Sequence, residues 1–532
     1  MGGRETTTAG GRGRRRPLAG SAVPLAAGAG APKGDPEGPC CAGLDALPGL
    51  RSYKRLLARY GLQFTLRAVL YRVLVVILAG ALLAGTLLGV VLPWLFTLAL
   101  SSLVFAYVAC EACFLVYLRS VLRRIQRPKP LRQRLPPPEG SLKLFDRTME
   151  AIDVGNEWAT AGCALAAGRD YKRFIEGWFL GCPFEHLRRG NLQELTAWAF
   201  FTKEIAELDA DESKLLTDVM MPRWEERLGC LPEGYSEGVK PMRINFDRVH
   251  AWCHPLAYYA GIRALHLVTR QLMRLLGFTY KAATGGGVSF FHNAPPRPLS
   301  GPLLRGGEPQ PSKPPVVLIH GLGVGLLPYL PFIRRLARQR ECFVVEVPEV
   351  SQVGAKVTLT PDSAPAAFAA MLESHGHASA CFVGHSYGTC IASWVARARP
   401  DVVSKLVLLD PVCFLLCQPD VAFNFLYRRP HNVMMRVTAS FVRWELFAAN
   451  VLMRHFYWYH NVLWREELPD DCVVALSSRD DITTNVPDVW RYLEEHQQGA
   501  RGSKLKLLWM DGLHHGQVLL SKQAQLRVLE LM

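Results

Sequence analysis

The stretch Gly384-His385-Ser386-Tyr387-Gly388 has the G-x-S-x-G spacing of a nucleophile elbow. It runs out of the short apolar segment CFVG and into a helix of small residues, so the serine sits on a strand-to-helix turn. In so tight a turn a Cβ two positions before or after Ser386 would strike the strand or the helix, which accounts for both glycines. Five residues alone arise readily by accident, and their weight depends on partners. A serine becomes a nucleophile when a histidine takes its proton and a carboxylate holds that histidine. The run MDGLHHGQVL offers His514 and His515; His515 is preferred because the small Gly516 behind it leaves the ring room to reach over a sheet edge, and His514 is its competitor. The apolar run CVVALS is followed by Asp480 and Asp481. Asp480 has the D-x-I spacing that returns Ile482 to the core, and Asp481 remains the alternative. Asp410, closing KLVLLD, is a third acid whose preferred reading is a turn cap beside Pro411. His320-Gly321-Leu322-Gly323 after VVLI can aim backbone N–H groups at an oxyanion; those of Leu322 and Tyr387 are the expected donors. His320 precedes the serine and reads as shaping that loop.

Elements that alternate between strand and helix must position these residues. FTYKAAT and VSFFHNA, around Gly285-Gly286-Gly287, read as a hairpin. Then come strand VVLIH, helix 327–339, strand CFVVEVP, helix 364–375, strand CFVG, helix 387–398, strand KLVLLD, strand CVVALS, helix 487–497, strand KLKLLWM and a closing helix. Such alternation predicts a parallel sheet covered on both faces, with each candidate residue just past a strand end.

With HGLG at 320–323, GHSYG at 384–388, Asp480 and His515, the chain resembles the α/β-hydrolase superfamily over residues 278 to 532. The resemblance implies an eight-stranded, mostly parallel sheet, a serine nucleophile and hydrolysis through an acyl-enzyme. It carries no substrate, because the fold hosts esterases, lipases, thioesterases and peptidases alike. Two departures are Ser477-Ser478, where glycine is frequent, and the doubled acid. Epoxide hydrolases and dehalogenases on this fold attack with aspartate, and residue 386 is serine. The front half loosely resembles membrane-tethered hydrolases of fungi and algae that have no assigned substrate.

The 532 residues carry a formal charge of +15. Much of the excess precedes one long apolar run, at Arg12, Arg14, Arg15, Arg16, Arg51, Lys54, Arg55, Arg59, Arg67 and Arg72. That placement suits juxtamembrane residues, and no nucleic-acid-binding signature is visible. Val73 to Tyr117 is almost continuously apolar, long enough for two spans of about 20 residues each or one kinked helix. Basic residues on both flanks favour a hairpin with both ends in the cytosol and its tip at Pro93-Trp94. The expected organisation is therefore a disordered basic tail (1–50), membrane-anchoring helices (51–126), a proline-rich linker (127–141), a helical region (142–276) and a hydrolase domain (277–532) with a lid at 411–470.

The fourteen cysteines lack a disulfide framework. No metal-ligand spacing or phosphate loop is visible, so no cofactor is expected. Aromatic residues crowd the lid and also a helical stretch containing Trp178, Phe179, Phe184, Trp198, Phe200 and Phe201. The latter read as helix-helix core, with an acyl groove as the sharper alternative. The combined expectation is a membrane-anchored serine hydrolase that cleaves a lipid-like carboxylic ester through Ser386, acting on membrane lipids from the cytosolic face of the endoplasmic reticulum or a lipid droplet. A thioesterase and a non-catalytic hydrolase-fold scaffold are the alternatives.

Overall fold

The computed structural model describes residues 67–82, 85, 92–127, 138–160, 171–283, 286–293, 313–354, 357–431, 433–499 and 504–532. The basic tail expected at 1–50 lies outside them. Two compact units emerge, Met1–Ala84 and Gly85–Met532. In the first, residues 67–82 form helix α1.

In the second unit, helix α2 (Leu92–Ile125) opens the chain. Among the described residues its stretch Thr97–Ile125 is long and apolar enough to cross a membrane, with a mean hydropathy of 2.0. Pro93-Trp94, expected as the tip of a hairpin, is instead helical. Pro93 lies in the first turn of α2, where its missing N–H costs the helix nothing. The carboxyl-terminal half of α2 is docked: Leu118, Val121 and Ile125 are buried, and the ring of Phe114 meets that of Tyr259 at 5.3 Å.

Helices α3 (Pro138–Thr160), α4 (Tyr171–Trp178), α5 (Arg189–Phe201), α6 (Ala210–Lys214), α7 (Met221–Leu228) and α8 (Leu256–Leu275) follow. Helix α3 begins at Pro138, inside the stretch expected to be linker. Phe145, Phe200 and Trp224 pack edge to face among these helices, with ring separations of 5.1 and 5.5 Å. An aromatic cluster of this kind is what holds short helices of modest propensity together.

The sheet contains β1 (Thr279–Lys281), β2 (Ser289–Asn293), β3 (Val316–Ile319), β4 (Cys342–Glu346), β5 (Ala380–His385), β6 (Val403–Leu409), β7 (Cys472–Ser477) and β8 (Leu505–Met510). Their spatial order is β1-β2-β4-β3-β5-β6-β7-β8. The first two strands form the expected hairpin and join β4 antiparallel; every later pairing is parallel. Continuous apolar segments make these strands because both faces are covered: every residue of β3, β4, β5 and β7 is buried. Helices α9 (Leu330–Ala337), α10 (Ala364–Glu373), α11 (Tyr387–Ala398), α16 (Val486–Gln498) and α17 (Lys522–Glu530) connect and close the sheet. Between β6 and β7 the segment expected to be a lid forms α12 (Pro419–Ala422), α13 (Val433–Thr438), α14 (Leu446–Asn450) and α15 (Trp458–Asn461).

Candidate active site

Ser386 stands between β5 and α11 with φ 52° and ψ −123°, a conformation that non-glycine residues rarely adopt. The turn is as crowded as its glycines imply. A Cβ on Gly384 would lie 2.7 Å from the Gly388 carbonyl oxygen, and one on Gly388 would strike the carbonyl of Ile319 at the end of β3. Gly321 is equally constrained, since a Cβ there would come within 2.8 Å of the Ser386 Cβ. The strained serine is thus pressed against the His320–Gly323 turn.

Residues far apart in sequence converge here. His515 Nε2 lies 2.8 Å from Ser386 Oγ, and His515 Nδ1 lies 2.7 Å from Asp480 Oδ2. Asp480 Oδ1 accepts the N–H groups of Ile482 and Thr483, each at 2.8 Å, which fixes the carboxylate after β7. The competing pair is elsewhere: His514 Nδ1 meets Asp481 Oδ1 at 3.2 Å on the exposed surface. Burial disfavours a charged His515, but the Asp480 carboxylate, with Asp410 and Asp481 adding, outweighs it and raises the ring to about 9. Burial likewise opposes the charged form of Asp480, yet His515 and the backbone donors win and keep its carboxyl below the usual range. The two form a buried ion pair in which each partner favours the charge of the other.

In the turn after β3, Gly321 N–H donates to the Tyr329 hydroxyl at 2.7 Å and Gly323 N–H to the Val350 carbonyl at 2.9 Å. The Leu322 amide between them and that of Tyr387, first residue of α11, belong to residues that line the same cleft as Ser386. His320 is fully buried; its Nε2 accepts the Val347 N–H at 3.0 Å, and burial lowers its pKa to about 4. It shapes the loop as a neutral ring.

Asp410 departs from both readings of it. It is no cap for the turn at Pro411, and it does not touch His515. Almost fully buried, it accepts Ser477 N–H at 3.1 Å through Oδ1 and Gly516 N–H at 2.7 Å through Oδ2. One carboxylate therefore ties the loop bearing Asp480 to the loop bearing His515. Gly516 takes φ 78°, which only glycine adopts without strain, and this lets its amide point inward. Behind the serine, Tyr329 and His385 Nδ1 are 2.6 Å apart, and His385 Nε2 faces Asp410 Oδ2 at 3.9 Å. Sequence reasoning passed over Tyr329 and His385. Nothing in LLPYL marks Tyr329, and His385 carries a signal only in its place beside the serine.

An apolar cleft of about 630 Å³, open to solvent, reaches Ser386. The lid contributes Leu416, Phe425, Leu426, Phe456 and Trp458, so part of its aromatic content faces the cleft and part, such as Phe414, Phe447 and Trp464, is core. Of the six helical aromatics, Trp178 alone is among the lining residues; Phe179, Trp198, Phe200 and Phe201 are buried as packing. Ile244, which no motif announced, joins it. The indole N–H groups of Trp178 and Trp458 donate to the carbonyls of Cys417 (3.0 Å) and Ala199 (2.9 Å), so neither carries an unpaired polar group into the cleft. Among the described residues no group of three or more His, Cys, Asp or Glu side chains could hold a metal ion.

Residues 314–455 match the family model for the α/β-hydrolase fold. With the eight-stranded sheet, that match shows an α/β-hydrolase fold in this part of the chain. A 56-residue stretch is 46% identical to Lipase LipV of Mycobacterium tuberculosis, covering 10% of this chain and 22% of that protein. The chain thus spans about a fifth of that curated relative. Similar solved structures include a membrane phospholipase A described as a bacterial virulence factor, with 15% identity, 52% of this chain, 93% of that one and a TM-score of 0.35. A putative lipase of Acinetobacter baumannii AYE shows 12% identity, 50% and 93% coverage and a TM-score of 0.34. For carboxylesterase CesB of Bacillus subtilis the values are 12%, 52%, 98% and 0.35.

Proposed function

We propose that this protein is a membrane-anchored serine hydrolase that cleaves lipid-like carboxylic esters. The observation that carries the reading is the line Asp480–His515–Ser386, with 2.7 and 2.8 Å links, ending at the apolar cleft. Ser386 Oγ attacks the acyl carbonyl while His515 Nε2 takes its proton, and Asp480 holds the imidazolium that forms. The carbonyl oxygen, now negative, rests on the N–H groups of Leu322 and Tyr387. Collapse expels the alcohol, which receives the proton from His515; water then repeats the sequence and releases the acid. The almost wholly apolar cleft favours a long acyl chain, because a small polar substrate would leave its own hydrogen-bonding groups unmatched there.

Helix α2, apolar and exposed over its first half, supports anchoring. The basic flanks support a cytosolic catalytic unit, and the endoplasmic reticulum or a lipid droplet is the membrane proposed for it. The helical segment from α3 to α8 acts with the sheet, because Trp178 and Ile244 wall the cleft.

A fluorophosphonate probe tests the assignment. Wild type labels and Ser386→Ala does not; equal labelling sinks the reading, and no labelling of either favours a scaffold. Esters turned over faster than matched thioesters support the substrate class, and the reverse order makes the protein a thioesterase. Full-length protein that stays in solution after a high-speed spin without detergent overturns the anchor.

A further inference from the structure

The lid carries an apolar ridge that the cleft does not use. Val433, Val437 and Phe441 recur at every fourth position through α13 and the π turn after it, and are 77%, 46% and 46% exposed. That spacing stacks them on one helical face. His431 and Arg436 beside them are also exposed. An apolar face with basic residues at its margin is the pattern of a helix lying in the boundary between headgroups and acyl chains.

The position of the ridge supports the same occupant. The Phe441 carbonyl accepts the Tyr258 hydroxyl at 3.2 Å, and its ring stacks 5.7 Å from that of His254, which stacks 4.1 Å from Tyr258. These residues lead directly to α2: Tyr259 meets Phe114, and Leu256 N–H donates to Glu111 Oε2 at 2.9 Å. Before Glu111, α2 exposes apolar side chains such as Leu103 and Phe105. The ridge therefore emerges at the level where α2 leaves the catalytic unit.

We propose that Val433, Val437 and Phe441 form a second membrane contact, sunk into the headgroup layer of an anionic leaflet beside α2. The inference rests on the reading of α2 as an anchor. Its consequence reaches the cleft through Arg443, whose Nη1 donates to the carbonyls of Phe425 (2.9 Å) and Arg428 (3.0 Å). Phe425 and Leu426 line the cleft, so the wall beside Ser386 is tied to the helix that meets lipid. An ester then enters from the leaflet without crossing water.

Full-length protein reconstituted into vesicles of phosphatidylcholine and phosphatidylserine decides the matter, comparing wild type with Val433→Glu/Val437→Glu. Both side chains are exposed, so the double variant folds. Amide exchange over residues 433–443 is expected to be about tenfold slower in wild type, with residues 451–455 unchanged. Equal exchange overturns the proposal. Protection that vanishes on dilution of protein in excess lipid assigns the ridge to a second copy and also overturns it. Turnover of a vesicle-embedded ester should fall about tenfold in the variant, while a short water-soluble ester changes less than about twofold; an equal fall for both overturns the link to the cleft. Exchange needs no turnover, so an inactive protein refutes the catalytic reading while leaving the ridge decided. Recovery of wild type in the soluble fraction refutes the anchor separately.

Discussion

Asp480→Asn should disable the site through a forced change of tautomer. The Oδ1 atom of Asp480 accepts two backbone amides, from Ile482 and Thr483, while Oδ2 faces His515 Nδ1 at 2.7 Å. In the asparagine variant those two donors select the side-chain oxygen, which turns the NH2 group toward the ring. Nδ1 must then accept, and the ring proton moves to Nε2, where it points at Ser386 and cannot take the serine proton. A tautomer lock of this kind costs about four orders of magnitude in kcat, equivalent to about 5 kcal/mol of transition-state stabilisation. Asp481→Asn breaks only an exposed pair with His514 and should change kcat by less than about threefold. Steady-state hydrolysis of one chromogenic ester by both variants, with folding checked by near-ultraviolet circular dichroism, provides the test. Retention of more than about a tenth of wild-type kcat by Asp480→Asn, or an equal loss in Asp481→Asn, refutes the reasoning.

Four further outcomes follow from the geometry. With His515 raised to about 9, the base is a cation near neutrality, so kcat/KM should climb with pH up to about 9 and level beyond it. Asp410→Asn removes a charge that raises His515 and one of the two acceptors for Ser477 and Gly516, so the limb should move to lower pH while kcat falls about tenfold. A profile flat from pH 6 to 9 would contradict this. Because Ser386 has φ 52°, Ser386→Gly should be about 1 kcal/mol more stable than Ser386→Ala by denaturant titration, both being inactive; equal midpoints would show that the turn stores no strain. Ile244→Trp should fill the cleft, lowering kcat/KM for long-chain esters about tenfold while leaving fluorophosphonate labelling intact. An unaltered chain-length preference would remove the helical segment from the cleft wall.

The sheet was legible because parallel strands buried on both faces must be continuous apolar runs, and each of VVLI, CFVVE, CFVGH and CVVALS is one. That Ser386, Asp480 and His515 would converge was legible from the elbow glycines, the D-x-I spacing and Gly516. Asp410 was misread for the opposite reason: its partners, the amides of Ser477 and Gly516, are 67 and 106 residues away, and a turn-capping aspartate has the same local sequence. The cleft walls were half visible. Aromatic content announces apolar packing but not which way a ring faces, so Trp178 could not be separated from Trp198, nor Ile244 from any other buried isoleucine. The break expected at Pro93-Trp94 falls in the first turn of α2, because a proline marks a first turn as readily as a break.

The contact between Phe200 and Trp458, 6.0 Å between ring centroids, bears on how the chain matures on the ribosome. Helix α5 is translated some 250 residues ahead of Trp458, which at about 5–20 residues per second means many seconds of delay. During that interval Phe145 and Trp224 can already pack on Phe200, but the side that Trp458 covers stays open, and exposed apolar surface of this sort invites aggregation. Shielding that side of α5 until α15 leaves the exit tunnel is therefore expected to raise the yield of folded protein.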